Sequence, residues 1–251
     1  MASDLPPRRR LAILPTPLEP APRLSTAWGG PDIWIKRDDL TGFGLSGNKV
    51  RKLEFHFAAA EGVGADTVIT CGAVQSNHSR ATALAGARLG FRVILLLRHS
   101  GSAGPPPLAG NYLLDILAGA EVQFITPAEW EHRDRLMESV AAQQEAAGHR
   151  SWVIPEGASD PLGMWGFVLA MRELADQMAA IPGKPAVIWH AASSGGTTAG
   201  IGWAADQLGL DLEIVACSIG DSADDIRTKV EDIWTRACAS TGTSWPQPRI
   251  E

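Results

Sequence analysis

Residues 67–90 read TVITCGAVQSNHSRATALAGARLG, and this stretch contains one complete unit of the predicted fold. Thr67–Cys71 is a short, continuous, mostly β-branched run, which is typical of a strand that is covered on both faces. A polar turn follows. Arg80–Leu89 then has a helical pattern that ends at Gly90, a residue suited to a helix C-terminus. The stretch therefore predicts a strand, a turn and a helix in direct succession.

The same alternation recurs along the chain. Further strand-type runs lie at Val93–Leu97, Val122–Thr126, Trp152–Pro155, Val187–His190 and Ile214–Ile219. Helical patterns lie at the segment that contains Val50, Leu53 and Phe57, and at Asn111–Ala118, Ala128–Ala147, Met164–Ala180, Thr197–Leu208 and Ser222–Ala239. Repeated strand–helix units at this spacing predict an α/β fold with mostly parallel sheets flanked by helices.

The composition is that of an ordinary globular protein. The 251 residues are 45% hydrophobic and 20% charged, with a formal net charge of −6. This charge does not favour nucleic acid or an anionic membrane as a partner, and no window approaches the ~20 apolar residues of a membrane span. Three widely separated cysteines without a CxxC motif favour a cytoplasmic location. No histidine is paired with an acid at helical spacing, so no metal site is predicted.

The segment HAASSGGTTAG contains a candidate anion site. A predicted strand ends at His190, and Ser193–Thr198 lead into a helix. Backbone N–H groups, hydroxyls and a helix N-terminus together form a cradle that suits phosphate. The segment is not a Walker A loop, because no lysine follows its glycines. A plain turn capped by a serine or threonine is the alternative interpretation.

The segment CGAVQSNHSR has the same arrangement of strand, polar turn and helix. Ser76 and Asn77 can cap the helix, which is the simpler interpretation. The run Gln75–His78 consists of four consecutive polar residues, which is more than capping needs. The alternative is that these side chains line a cleft.

The segment LSGNKVRKLEF places three cations at the start of a predicted helix: Lys49, Arg51 and Lys52. Cations are unfavourable there, because a helix N-terminus carries partial positive charge. If Ser46 or Asn48 caps this helix, the dipole and the other cations should lower the pKa of Lys49 and leave its amine nucleophilic. The surplus charge would also suit a bound dianion. The alternative is a solvated basic helix face.

Gly42, Gly44 and Gly47 spell G-x-G-x-x-G, which occurs in dinucleotide-binding sites. Such a site expects an acid at the end of the next strand, but Asp66 precedes that strand here and the strand ends in Cys71. A dinucleotide-dependent dehydrogenase is therefore the weaker interpretation.

Taken together, four segments resemble the pyridoxal-phosphate enzymes related to tryptophan synthase β. Within them the chain is most similar to the 1-aminocyclopropane-1-carboxylate deaminase/D-cysteine desulfhydrase family. The segments are IKRDDLTGFGLSGNKVRKLEF, CGAVQSNHSRATALAGARLG, GNYLLDILAGAEV and ASSGGTTAGI, in family order over nearly the whole chain. The first two are highly specific, whereas the last is common to the wider fold.

The resemblance implies pyridoxal 5'-phosphate as the cofactor and the two-domain architecture of fold type II. The smaller α/β domain would comprise residues 50–150. The larger, cofactor-holding domain would comprise residues 1–49 and 151–251, with the cofactor between the two.

The resemblance also implies roles for individual residues. Lys49 is similar to the lysine that forms the Schiff base, and Lys52 to a lysine that contacts the cofactor phosphate. Ser76 is similar to the serine that engages the substrate carboxylate and is assigned as nucleophile. Asn77 is similar to the residue that hydrogen-bonds the pyridine hydroxyl. The residues that match the phosphate loop are Ser194, Gly195, Gly196, Thr197 and Thr198.

The implied reaction is β-elimination from a small amino acid, with D-cysteine giving pyruvate, ammonia and sulfide. His78 favours the desulfhydrase branch, because that branch resembles QSNH where the deaminases read QSNQ. His78 is therefore grouped with Ser76 and Asn77 as substrate-binding. A 1-aminocyclopropane-1-carboxylate deaminase and a cysteate sulfo-lyase are the alternatives. A homodimer is expected.

Chains of this family continue past the point where this sequence stops, at 245–251. The segment that follows in the family supplies the partner of the pyridine nitrogen and an aromatic residue over the substrate. Tyr112 is the single tyrosine here, and its helical pattern assigns it a structural role. The sequence thus leads us to expect an incomplete site. An inactive pyridoxal-phosphate-binding fragment is an alternative of another class.

Overall fold

The computed structural model describes residues 5–44, 47–100, 104–181, 183 and 186–242. The predicted cap Ser46 and the segment 245–251 lie outside the described residues. The strands are β1 Leu18–Pro20, β2 Trp34–Lys36, β3 Thr67–Ala73, β4 Arg92–Arg98, β5 Glu121–Ile125, β6 Ser151–Val153, β7 Val187–Ala192 and β8 Glu213–Ser218. The helices are α1 Pro22–Trp28, α2 Lys49–Gly62, α3 Asn77–Leu89, α4 Gly110–Leu117, α5 Pro127–Trp130, α6 Arg133–Ala146, α7 Trp165–Met178, α8 Gly196–Gln207 and α9 Ala223–Thr241.

Parallel strands form the two sheets that follow α2. The four-stranded sheet has the order β5-β4-β3-β6, and each neighbouring pair is parallel. Strands β7 and β8 form a separate parallel pair, whereas β1 and β2 form an antiparallel ribbon. The predicted α/β fold with mostly parallel sheets flanked by helices is therefore confirmed. The division into two domains stays a prediction.

The strands at the centre of the four-stranded sheet are buried on both faces. Val68, Ile69 and Ile94–Leu97 are at most 1% exposed, as expected for parallel strands between helical layers. One face packs against Met137 of α6, and the other against Tyr112 of α4. Within the described residues, no helix is both long enough and apolar enough to cross a membrane.

The predicted strands differ from the observed ones by at most two residues at either end, but the predicted helix Ala128–Ala147 is wrong. It consists of α5 and α6, because His132 leaves the helical conformation with φ −117° and ψ 22°. Just before this break, the buried ring of Trp130 packs against the guanidinium groups of Arg98 and Arg133, each 4.8 Å from the ring centroid. The cation–π contacts accompany a break in the helix that no glycine or proline marks in the sequence.

Helix α3 begins three residues before its predicted start at Arg80. The cause is Ser76, whose hydroxyl oxygen accepts a hydrogen bond from the Ser79 N–H at 3.2 Å and caps the helix. The capping interpretation of Ser76 is therefore confirmed. Asn77 and His78 consequently lie in the first turn of α3.

Helix α7 crosses α2 at Gly166 with the two backbones in contact. A Cβ atom on Gly166 would lie 2.5 Å from the Arg51 carbonyl group and 2.7 Å from the Lys52 nitrogen. A side chain at this position would push α7 away from the first turn of α2. The contact therefore fixes the place of the cations that α2 carries.

We expect Gly166→Ala to lower the free energy of unfolding by about 1–3 kcal/mol, because the added methyl group overpacks the crossing. The matched control is Gly62→Ala, at the end of α2, where a Cβ would meet nothing within 4 Å. This control should be neutral or stabilising by up to ~1 kcal/mol, since alanine is the better helix former. Urea unfolding of both variants measures the difference. Equal stability of the two would show that the crossing is not tight.

Candidate functional site

One face of α2 carries three titratable side chains toward the segment 156–160. Lys49, Lys52 and His56 lie at i, i+3 and i+7, which places them on the same side of a helix. Lys52 is 0% exposed and His56 is 1% exposed. We call these three residues the α2 basic face.

Each member of the α2 basic face meets a different part of that segment. A Cβ on Gly157 would lie 3.3 Å from Lys49 Nζ. Lys52 Nζ donates hydrogen bonds to Ser159 Oγ at 2.9 Å and to the Gly157 carbonyl oxygen at 3.3 Å. His56 Nε2 lies 3.1 Å from a carboxylate oxygen of Asp160. Both direct partners of Lys52 are thus neutral oxygens.

Burial dominates the electrostatics of these lysines. It lowers the pKa of Lys49, and the nearby charge of Glu156 raises that pKa in part. Burial also lowers the pKa of Lys52 well below its usual value; Lys49 lowers it further, and Asp160 opposes both effects. The predicted lowering of the Lys49 pKa is confirmed, but its main cause is loss of solvent rather than the helix dipole or the other cations.

Arg51 does not join the α2 basic face, so its predicted contribution to a dianion site is wrong. It lies two residues from Lys49, which turns it to another side of the helix. Its guanidinium donates to both oxygens of Asp38 at 2.7 and 2.9 Å, and to both oxygens of Glu173 at 3.1 Å. Lys36 donates to Glu173 as well. These ion pairs join the β1–β2 ribbon and α7 to α2.

The predicted phosphate loop lies against the α2 basic face. Helix α8 starts at Gly196, and a Cβ there would lie 2.8 Å from Lys52 Nζ. Gly195 has φ +80°, a conformation that favours glycine. The Ser194 hydroxyl oxygen lies 2.7 Å from the Ser159 hydroxyl oxygen. The glycines therefore let a loop, a buried ammonium and a helix N-terminus approach one another.

Thr198 adds a buried hydroxyl group on the first turns of α8. Its side chain is 0% exposed, and within the described part of the chain its Oγ1 has no hydrogen-bond partner. Among the described residues, no carboxylate forms an ion pair with Lys52. An anion with several acceptor oxygens at the α8 N-terminus would satisfy both demands. The residues present thus fit a phosphate group.

The two polar residues that follow Ser76 have different environments. Asn77 is exposed, and its Oδ1 lies 3.0 Å from Asn111 Nδ2. His78 is 3% exposed, and its Nε2 lies 2.8 Å from the hydroxyl oxygen of Thr70. Burial, and then the charge of Lys49, lower the pKa of His78 well below its usual value. His78 is thus set into the core rather than beside Ser76 and Asn77, and its contact with substrate stays a prediction.

The glycines of the G-x-G-x-x-G pattern have a structural explanation. Gly42 and Gly44 have φ of +70° and +49°, and a Cβ on them would lie 2.4 Å from Ile13 and 2.6 Å from Leu84. They shape the connection that precedes α2. Within the described ranges, no group of three or more histidine, cysteine or acidic side chains could hold a metal ion.

Sequence reasoning missed two parts of this site. Ser159 and Asp160 follow strand β6, and a small, polar run after a parallel strand could have indicated them. Lys229 of α9 lies behind the phosphate loop, with Nζ 2.8 Å from Asp221 and 3.3 Å from the Ser193 carbonyl oxygen. A single lysine in a helical pattern gives no such signal in the sequence.

Comparison with known proteins identifies relatives of the chain. The family model described as pyridoxal-phosphate dependent enzyme matches residues 9–246. A D-cysteine desulfhydrase of Salmonella choleraesuis is 39% identical over 226 residues, which cover 89% of this chain and 68% of that protein. A bifunctional D-cysteine desulfhydrase/1-aminocyclopropane-1-carboxylate deaminase of Arabidopsis thaliana is 42% identical over 220 residues, which cover 85% of this chain and 55% of that protein.

Solved structures give a similar result. The chain resembles the crystal structure of an ACC deaminase homologue with a TM-score of 0.88 and 36% identity, over 99% of this chain and 74% of the other. A threonine deaminase from T.th., at 21% identity and a TM-score of 0.62 over 81% of this chain and 59% of the other, shares the fold alone.

We expect Lys52→Met to weaken binding of inorganic phosphate at least tenfold, because hydrogen bonds to charged groups contribute about 1.5–3 kcal/mol each.

Lys52→Met should also raise the free energy of unfolding of the ligand-free chain. Because the folded-state pKa of Lys52 is lowered, the unfolded state binds its proton more tightly, and stability should rise with pH between the two pKa values. Lys52→Met should reduce this slope. Urea unfolding against pH, with and without phosphate, measures both effects; undiminished phosphate binding would contradict the assignment.

Proposed function

Because the chain belongs to the pyridoxal-phosphate dependent enzymes, we propose that it catalyses β-elimination from D-cysteine, giving pyruvate, ammonia and sulfide. The fold type expected from the resemblance to tryptophan synthase β is confirmed by the structural relatives. The observation that carries the proposal is the meeting of the α2 basic face with the phosphate loop. There Lys52 is fully buried with neutral oxygens as its direct partners.

The chain's own residues hold the cofactor at both ends. Lys52, the N–H groups of Ser194–Thr198 and the Thr198 hydroxyl group bind its phosphate at the α8 N-terminus. Lys49 would hold its aldehyde end. When bound, pyridoxal phosphate delocalises the electron pair that remains after the substrate's α-proton leaves. The phosphate contacts fix the ring relative to Lys49.

Lys49 moves the α-proton as general base. A general base must be unprotonated near the working pH, and burial lowers the pKa of Lys49 toward that range. Ser76 binds the substrate carboxylate, and Asn77 donates to the ring hydroxyl oxygen. These two contacts orient the bond to the leaving group.

The second candidate is ring opening of 1-aminocyclopropane-1-carboxylate, which the Arabidopsis thaliana relative supports, since its name includes both activities. A cysteate sulfo-lyase is the third. A turnover screen with D-cysteine, L-cysteine, cysteate and the cyclopropane substrate separates them through sulfide, sulfite and 2-oxobutyrate release. Sulfide and pyruvate in equal amounts from D-cysteine are expected. Turnover of the cyclopropane substrate alone would replace the first candidate by the second.

The proposal extends to the whole protein. The chain spans 68% and 55% of the lengths of the two relatives described above. The catalytic activity of a whole protein of that length is therefore part of this proposal. A homodimer and a cytoplasmic location are proposed with it, on the strength of the sequence. Light scattering after size-exclusion chromatography measures the mass of the assembly.

We expect Lys49→Ala to remove covalent attachment of the cofactor and to lower turnover by several orders of magnitude, while the fold persists. The reason is that the amine is both the attachment point and the base. Borohydride reduction followed by peptide mass spectrometry locates the modified lysine. In the unsubstituted chain the label should lie on Lys49; a label on another lysine would refute the assignment.

We expect Ser76→Ala to retain the cofactor but to lower the turnover rate by about 10²–10³, because a hydrogen bond to the reacting substrate is lost. The same change removes the N-cap of α3, which costs about 1 kcal/mol of stability. Ser222→Ala is the matched control, since Ser222 caps α9 through its own side chain. A comparable loss of turnover in both variants would reduce Ser76 to a capping role.

A further inference from the structure

A cluster of polar side chains from α3 and α4 surrounds the oxygen of Asn77. Arg80 Nη1 lies 3.4 Å from Asn77 Oδ1 and 3.2 Å from Asn111 Oδ1. Asn111 Nδ2 lies 3.0 Å from Asn77 Oδ1 and 2.8 Å from the Gln75 carbonyl oxygen. Two different elements thus meet at one carboxamide.

The chemistry of Arg80 fixes the orientation of both amides. A guanidinium group only donates hydrogen bonds, so Asn77 and Asn111 must both turn their oxygens toward it. The Nδ2 of Asn111 then faces acceptors, and it donates to Asn77. The Oδ1 of Asn77 is held by two donors, which leaves its Nδ2 directed away from the cluster. In the described part of the chain, no residue accepts a hydrogen bond from that Nδ2.

Asn111 is itself held in place by Gln75. The Gln75 Oε1 accepts the Asn111 N–H at 2.8 Å, and the Gln75 Nε2 donates to the Ala109 carbonyl oxygen at 3.1 Å. Helix α4 has no capping side chain at its own N-cap, so Gln75 satisfies one of its first N–H groups, that of Asn111, instead. A Cβ on Gly110 would lie 2.4 Å from Gln75 Oε1. Glycine at this position lets the β3–α3 turn approach α4.

Arg80 is also held in place. Its side chain is only 8% exposed and lies against the two amides. Asp115, one turn further along α4, is fully buried. Burial raises the pKa of Asp115 to about 7, against the lowering by Arg80. Burial lowers the pKa of Arg80, and Asp115 opposes that. The acid therefore favours the charged form of the arginine that orients both amides.

We propose that Asn111 and Arg80 are positioning residues, which orient the carboxamide of Asn77 so that its Nδ2 faces an acceptor on the cofactor ring. The inference rests on the proposed role of Asn77 in cofactor binding. It does not depend on which amino acid is the substrate. Asn111 and Arg80 act through Asn77.

The test is a double-mutant cycle on Asn111 and Asn77. Asn111→Asp retains an oxygen toward Arg80 but replaces the donor by a carboxylate oxygen, which repels Asn77 Oδ1 and attracts its Nδ2. Asn111→Ala removes the contact without adding charge. Asn77→Ala and the two double variants complete the cycle. Gln144→Glu is the matched control, since Gln144 is also an amide bound by an arginine, Arg92, at 3.0 Å.

The measurements are the dissociation constants for pyridoxal phosphate and for inorganic phosphate, and the pH dependence of the bound cofactor's visible absorption. We expect Asn111→Asp to weaken pyridoxal phosphate binding about tenfold, the effect of one hydrogen bond. Its absorption profile should shift along the pH axis. Phosphate binding should stay unchanged, as should every reading of Gln144→Glu. In the Asn77→Ala background, neither Asn111 change should have a further effect.

Three results would overturn the inference. The first is an unchanged cofactor affinity and absorption in both Asn111 variants, and the second is an equal effect with and without Asn77. The third is absence of pyridoxal phosphate binding by the unsubstituted chain, which would overturn the proposed function as well. A non-additive cycle in a chain that does not turn over D-cysteine would support the positioning role and refute the proposed substrate alone.

Discussion

The burial of the Lys52 ammonium group is the constraint on which the site depends. An ammonium ion removed from water without a charged partner is costly, and the direct partners of Lys52 are a carbonyl and a hydroxyl oxygen. Loss of its proton relieves this cost in the ligand-free chain, because burial lowers the pKa of Lys52, whereas a bound anion would favour the charged form. The crossing at Gly166, the segment 156–160 and the α8 N-terminus all lie beside Lys52, an arrangement that supports the proposed phosphate site.

The cations at the start of α2 lie in two separate environments. The α2 basic face turns toward the phosphate loop. Arg51 turns away and is neutralised by Asp38 and Glu173. Although burial opposes it, hydrogen bonding by Arg51 and Lys36 lowers the pKa of Glu173 to about 2. The ion pairs anchor the helix, and the anchored helix presents the lysines.

Local patterns predicted the features that depend on neighbouring residues. The strands follow from short apolar runs, and the turn into α8 from a glycine-rich segment before a helix; its binding of phosphate stays a prediction. The partners of Arg51 could not be predicted, since Asp38 and Glu173 are 13 and 122 residues away from it. The break at His132 was missed because residues 131–135 contain no glycine or proline that would mark it. Asn111 was missed because its importance depends on the contact between α3 and α4.

The central claim is tested most directly by a crystal structure of the chain with pyridoxal phosphate. The account predicts a phosphate oxygen at a hydrogen-bond distance of about 3 Å from Lys52 Nζ. Other phosphate oxygens should accept from the backbone N–H groups of Ser194–Thr198 and from the Thr198 hydroxyl group. Arg51 should remain bound to Asp38 and Glu173. A phosphate bound elsewhere, with Lys52 still surrounded by neutral oxygens alone, would contradict the account.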